Sequence, residues 1–182
     1  NKYMRKLRAV FTYALDNQFM KESPFKGVGL KDEEIIKEPL SKAELKTIAG
    51  KKITNQRLST IRDMFLLQCY TGLAFGDLQE LTDENLIKED GSCYIIKDRK
   101  KTSVKSTIPV IPEAMAILKK YNAMNKKGKL LEISSNQKTN AYLKEIGDIC
   151  GISKPLSSHI GRHTFATTVT LNQGIQLESL KH

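Results

Sequence analysis

The sequence predicts a mainly α-helical fold with a small antiparallel β-sheet, and three observations carry that expectation. Apolar residues recur at helical spacing in several stretches, most of them opened by capping signals or closed by Gly or Pro. Only one region alternates as strands do: Cys93-Tyr94-Ile95-Ile96 and Thr102–Val110, joined by the basic turn Lys97-Asp98-Arg99-Lys100-Lys101. No internal repeat or low-complexity tract intervenes, and no apolar run approaches the roughly 20 residues of a membrane span. With 182 residues the chain can bury a core of its own, enough for one full domain with an appended piece.

Taken in order, residues 1–19 read as one amphipathic helix, with Leu7, Val10, Phe11, Ala14 and Leu15 recurring among Lys and Arg. The pattern is already under way at the first residue, so the expectation is a start inside a larger protein. Ser23-Pro24 ends this unit, and Phe25–Glu38 reads as a charged connector with a domain boundary in it. Ser41-Lys42-Ala43-Glu44 is a capping box opening a helix to Ile48. A turn at Gly50–Asn55 precedes a long helix through Ile61, Met64, Phe65, Leu66 and Cys69, broken at Thr71-Gly72. Ala74–Leu81 is a further helical piece, and the two strands follow. Pro112 starts a helix to Asn122. Lys126-Lys127-Gly128-Lys129 is a basic loop, Leu130–Ile133 a short strand, Asn140–Cys150 a helix, and Ile175–Leu180 the start of one more.

Charge narrows the partners. Thirty Lys+Arg against 20 Asp+Glu give a net +10, which points to a polyanion, nucleic acid ahead of an anionic membrane surface. Cys69, Cys93 and Cys150 are odd in number and widely spaced; they fit a reducing cytoplasm and neither a disulfide framework nor a zinc site. No His/Cys or carboxylate cluster shows metal-ligand spacing, so no metal is expected. The polar, helical N-terminus carries no signal-peptide pattern.

Three stretches carry candidate chemistry. Ser157-Ser158-His159-Ile160-Gly161-Arg162-His163-Thr164-Phe165-Ala166-Thr167-Thr168 opens with two capping serines after Pro155. His159 and Arg162 share a helix face, with His163 toward the same side. A forked guanidinium and a titratable imidazole at a helix start suit one phosphate; the plainer reading is a buried helix start with a satisfied His and a surface Arg. The second stretch is the basic hairpin, where Lys101 and Lys105 could reach a DNA groove or donate a proton, or simply form a solvated turn. The third, Tyr70-Thr71-Gly72-Leu73-Ala74-Phe75-Gly76-Asp77-Leu78-Gln79-Glu80-Leu81, is by itself a helix–turn–helix corner with Gly72 as breaker.

These three elements, preceded by Pro39-Leu40-Ser41-Lys42-Ala43-Glu44-Leu45, resemble the tyrosine recombinase (phage integrase) family, in the manner of integrases from mobile elements of Bacteroides-type bacteria. The resemblance implies that family's catalytic-domain fold over residues 39–182, an interdomain linker over 25–38, and the last helix of a core-binding (SAM-like) domain within 1–24. It implies site-specific DNA recombination or integration without metal or other cofactor. A tyrosine attacks a phosphodiester, a 3′-phosphotyrosyl link forms, and a freed 5′-hydroxyl reverses the step while cations stabilise the transition state. Carried over by residue, Arg162 binds non-bridging phosphate oxygens and His159 shuttles a proton or holds an oxygen. Lys101 is the general acid for the leaving 5′-oxygen, and Asp77 supports the site from behind. Lys100, Lys101, Lys105, Arg162 and His163 are the expected DNA contacts.

Two departures stand out. Ala74 occupies the place of a family arginine, and a methyl group cannot bind phosphate; Arg62 is the first candidate to replace that cation, with an ion pair to Asp63 as its plainer reading. Tyr3, Tyr13, Tyr70, Tyr94, Tyr121 and Tyr142 all precede Arg162, and none stands at the nucleophile's position. The expectation is a C-terminally truncated piece that forms no covalent intermediate by itself. The resemblance further implies double-stranded DNA as partner, a tetramer on DNA for the full-length protein, a monomer for this chain, a bacterial cytoplasmic location and no membrane. The alternative is a DNA-binding module that keeps the fold without the chemistry, which Ala74 supports; an RNA-binding or anionic-surface protein fits the charge alone.

Overall fold

The computed structural model describes residues 2–29, 38–89, 91–98, 105–122 and 128–169, and the chain divides into two compact units, residues 1–36 and 37–182. In the first unit, helix α1 (Lys2–Asp16) stops short of the expected residue 19. Gln18 takes a left-handed φ of 58°, the Phe19 N–H donates to the Ala14 carbonyl at 2.8 Å, and the Gln18 N–H donates to Leu15 at 3.0 Å. That pair of bonds is a Schellman termination. Glycine usually fills the left-handed place, so the sequence carried no punctuation there. Behind the helix, Phe25 packs edge-on against Phe11 with ring centroids 5.6 Å apart, and the Arg8 guanidinium lies over Phe25.

The second unit is built around one helix. α2 (Lys42–Gly50) opens with the expected capping box: the Glu44 N–H donates to Ser41 Oγ at 3.2 Å, and the Ser41 N–H donates to the Glu44 carboxylate at 2.7 Å. α3 (Gln56–Thr71) follows, capped by the Asn55 side chain and closed by Gly72 at φ 67°. Met64, Phe65, Leu67 and Cys69 on α3 are fully buried, and polar Asp63, Gln68 and Thr71 are buried with them. A helix covered on nearly every side belongs at the centre of a domain. It is covered by α2, by α5 (Pro112–Asn122), by α6 (Asn136–Cys150) and by α7 (Ser158–Thr164). A short α4 (Phe75–Gln79) follows the Gly72 corner, narrower than the expected Ala74–Leu81.

The sheet has three strands rather than two: β1 (Leu86–Glu89), β2 (Ser92–Asp98) and β3 (Lys105–Pro109), antiparallel in that order. β1 escaped the sequence reading because Leu86-Ile87-Lys88-Glu89 does not alternate; it is an edge strand whose last three residues are exposed. Ile95 is fully buried between its partners Leu86 and Ile108 and anchors the sheet to the core. The ladder runs out to Asp98 opposite Lys105. Lys97 and Asp98, expected in the basic turn, belong instead to β2, paired with Ser106 and Lys105, while Arg99, Lys100 and Lys101 lie outside the described residues.

Two further expectations are corrected. Leu130–Ile133 is not a strand: Leu130 and Leu131 are buried core residues, tied to the corner by one bridge between Thr82 and Lys129 and by the Leu130 N–H to the Leu81 carbonyl. α6 begins at Asn136, earlier than Asn140, because Ser135 caps the Lys138 N–H. α7 runs on as a π-helical turn, Phe165–Val169. The expected helix at 175–180 lies outside the described residues. Among the described residues no helix is long and apolar enough to cross a membrane.

Candidate active site

α7 divides its residues cleanly between two faces. Ser158, Ile160, Gly161 and Thr164 are buried, whereas His159, Arg162 and His163 are exposed. The inward face needs a glycine: a Cβ on Gly161 would stand 3.2 Å from the Phe65 ring and 3.3 Å from Gln68 Cβ, so the absence of a side chain lets α7 lie close on α3. Ser157 caps the helix by accepting from the Ile160 N–H at 3.4 Å, which is the cap its sequence promised.

Buried hydrogen bonds fix the rest. Ser158 Oγ donates to Gln68 Oε1 at 3.0 Å, and Gln68 Nε2 donates to the Leu73 carbonyl at 3.2 Å. Asn140 Oδ1 accepts the Ser158 N–H at 3.0 Å. One amide, Gln68, thus ties the start of α7 to the backbone of the corner after α3, and α6 holds the same serine from the other side. Further along, Thr164 Oγ1 accepts the Leu40 N–H at 3.0 Å and Thr168 Oγ1 donates to the Leu40 carbonyl at 2.6 Å. The corner closes on the end of α7, since a Cβ on Gly72 would lie 2.4 Å from the Phe165 ring. Left-handed backbone and close approach both require glycine there.

On the outward face the two imidazoles meet. His159 Nε2 and His163 Nε2 are 2.9 Å apart, with the rings nearly perpendicular at 89°. One nitrogen carries the hydrogen and the other the lone pair, so each ring sets the other's tautomer. Between them on the helix, Arg162 is exposed, and no described carboxylate forms an ion pair with it. Asp77 is buried in the first turn of α4, beyond the corner that Gln68 holds. Ala74 is the residue at the N-terminal cap of α4 and supplies no side-chain hydrogen bond. Gln68 therefore joins the Leu73 backbone of the corner to Ser158 on the inward face of α7, the face opposite His159, Arg162 and His163. Lys105 is the exposed first residue of β3, opposite Asp98.

Arg62 is not brought there, and the expectation that it replaces the missing cation is corrected. It precedes Gly72 by ten residues, about 15 Å along α3 at 1.5 Å per residue. Its Nε and Nη2 donate to Asp63 Oδ1 at 2.9 and 2.7 Å, and Nη1 donates to the Lys51 carbonyl. Lys120 Nζ and the Tyr121 hydroxyl donate to the other Asp63 oxygen at 2.6 and 2.9 Å. Burial pushes the Asp63 carboxyl upward, but donation from Lys120, Arg62 and Tyr121 outweighs it and holds the group below its ordinary range. Burial pushes the Tyr121 hydroxyl up to about 12.

With this geometry in view, a family model described as "Phage integrase family" matches residues 38–182. The chain belongs to the phage integrase family. IntQ of Escherichia coli (strain K12), a protein whose name calls it defective, is 31% identical over 102 residues, 56% of this phage integrase chain and 25% of IntQ. The transposase from transposon Tn916 of Enterococcus faecalis is 25% identical over an aligned 221 residues, which take in 100% of this chain and 54% of that protein. A lambda integrase dimer bound to a COC′ core site shares the fold with a TM-score of 0.73 at 19% identity, covering 94% of this chain and 66% of that one. This phage integrase chain spans between about a quarter and about half of the curated relatives it matches.

Sequence reasoning missed Gln68, Asn140 and Thr164 as organisers of the site. A Gln inside an otherwise apolar helix was the available signal, since a buried amide needs partners.

Proposed function

We propose that this chain carries the phosphate-binding core of a site-specific DNA recombinase, which cleaves and rejoins strands through a 3′-phosphotyrosyl intermediate on double-stranded DNA in the bacterial cytoplasm. The observation that supports it best is the split face of α7: Arg162 and two histidines face solvent together, while the opposite side is locked into α3 by Gly161 and the Ser158–Gln68–Leu73 chain. Rigid presentation of a guanidinium and an imidazole is what a phosphoryl-transfer transition state requires, because donors fixed beforehand need no rearrangement as charge develops. In this reading Arg162 holds two non-bridging oxygens, and His159 exchanges a proton with or steadies an oxygen. His163, as its hydrogen-bond partner, fixes which His159 nitrogen is available. Asp77 supports the corner, and Lys101 protonates the leaving 5′-oxygen. Lys100, Lys105 and the other basic groups of a chain with net charge +10 contact the backbone. The full-length protein works as a tetramer on two DNA sites.

The test uses the full-length protein with a nicked suicide duplex carrying its element's end. A covalent protein–DNA adduct that disappears in Arg162→Ala is the expected outcome; sequence-specific binding with no adduct would refute catalysis. That second result is the reading favoured by Ala74, namely a DNA-binding module that has lost the chemistry, since the structure gives Arg62 to Asp63 rather than to the corner.

A further inference from the structure

Histidines four apart on a helix stand one above the other, a spacing that lets both reach a single ion. Among the described residues no group of three or more His, Cys, Asp or Glu could hold a metal. Two ligands nevertheless suffice for a chelate when their nitrogens already stand at its bite. Here Nε2 to Nε2 is 2.9 Å, with ring centroids 4.4 Å apart and the planes at 89°. Two imidazole nitrogens each about 2.0–2.1 Å from one ion lie about 2.9 Å apart when they subtend a right angle, and about 3.3 Å apart at a tetrahedral angle. The right angle belongs to the square-planar and tetragonal coordination of Cu2+ and Ni2+ rather than to tetrahedral Zn2+. Both rings are exposed, so water can complete the coordination.

We propose that His159 and His163 form a bidentate site for a late first-row divalent cation, Ni2+ or Cu2+ ahead of Zn2+. Binding is coordination without change of oxidation state. The ring that now donates its Nε2–H to its neighbour carries that hydrogen on Nδ1 instead, and both Nε2 lone pairs turn to the ion. Structural metal sites close four protein ligands around the ion; this one closes two and leaves the rest to solvent, so it is reversible and the fold does not depend on it. Its consequence rests on the recombinase reading: an ion on His159 Nε2 takes that ring out of the hydrogen bond by which His163 sets its tautomer and places a positive ion beside the proposed phosphate site, and so inhibits strand cleavage.

The test is calorimetric titration of this chain with NiCl2 and with ZnCl2 in a non-coordinating buffer, beside His159→Ala, His163→Ala and His182→Ala. The expected result is one Ni2+ per chain, bound more tightly than Zn2+, weakened about 10²-fold by either of the first two substitutions through loss of the chelate and retained in the third. Unchanged Ni2+ affinity in His163→Ala, or tighter Zn2+ than Ni2+, would overturn the site. The measurement contains no DNA, so its failure leaves the recombinase reading standing. Conversely, pair-dependent Ni2+ binding that leaves adduct formation by the full-length protein unchanged supports the site and removes His159 from the chemistry.

Discussion

Two groups of basic side chains, one centred on α3 and one on the helix that packs against it, come to opposite ends. Around Asp63, near the first half of α3, Arg62, Lys120 and Tyr121 all donate to one carboxylate that is only 4% exposed. Near the second half, α7 turns Arg162, His159 and His163 outward and anchors itself by neutral groups, Gly161, Ser158 and Thr164. The difference lies in the partner. A buried carboxylate must be neutralised, so it draws every nearby donor inward and leaves none for a ligand. Where anchoring is done by an amide, hydroxyls and a missing Cβ, the charges stay available. An arginine beside the core is thus held or left exposed according to whether an acid is buried next to it, and Arg62 and Arg162 are the two cases.

The largest effect that would sharpen this contrast is on chemistry. Arg162→Ala in the full-length protein should lower adduct formation by about 10²–10³-fold, the loss typical of one preorganised donor. The same substitution should change unfolding stability by no more than about 0.5 kcal/mol, as for other exposed positions. A large drop in the urea midpoint would show that Arg162 is a structural cation after all. The reciprocal change is next in size: Asp63→Ala leaves Arg62 and Lys120 without their acid and should cost about 3 kcal/mol in urea unfolding. DNA affinity of the folded variant should stay within about threefold of the native chain; a collapse of binding would mean that the two clusters are not separate.

Much of this was legible beforehand, and the failures have local causes. The capping box at Ser41, the Gly72 break and the Ser157 cap depend on neighbours in sequence, and each appears as read. So does the outward trio on α7, because helical periodicity alone assigns its face. β1 and the start of α6 were missed or misplaced, since an edge strand without alternation and a serine within a polar run send weak local signals. The role given to Arg62 failed for a different reason. Arg62 takes the plainer pairing with adjacent Asp63, and Lys120 and Tyr121, which complete the cage around that carboxylate, are more than fifty residues away and are brought in only by tertiary structure. The Gln68 relay escaped in the same way, joining residues as far apart as 68 and 158.

That relay supplies the third prediction. Gln68→Ala leaves Ser158 Oγ and the Leu73 carbonyl buried without their partner and should cost about 2 kcal/mol in urea unfolding. Because the same amide joins α7 to the corner, the α7 amide protons should exchange faster with solvent than those of α5 in the variant. Equal acceleration in both helices would mean that Gln68 is ordinary core rather than the link between corner and helix.

The smallest effect is the acid limb of stability. Asp63 titrates below its ordinary value of 3.8 when folded, so between the two values the unfolded chain binds the proton and the native one does not. The sign follows: the contribution is whole above about pH 5 and drains away as pH falls through the folded value. Glu44 behaves alike, since burial raises it but donors from Ser41 and Lys154 lower it further. The native chain should therefore lose stability between about pH 5 and pH 3 more steeply than Asp63→Ala, with a residual slope that Glu44→Gln removes. Arg162→Ala should keep the full native slope, because no described acid pairs with that arginine. An acid limb flattened by Arg162→Ala would place a carboxylate at α7 and erase the distinction between the two clusters.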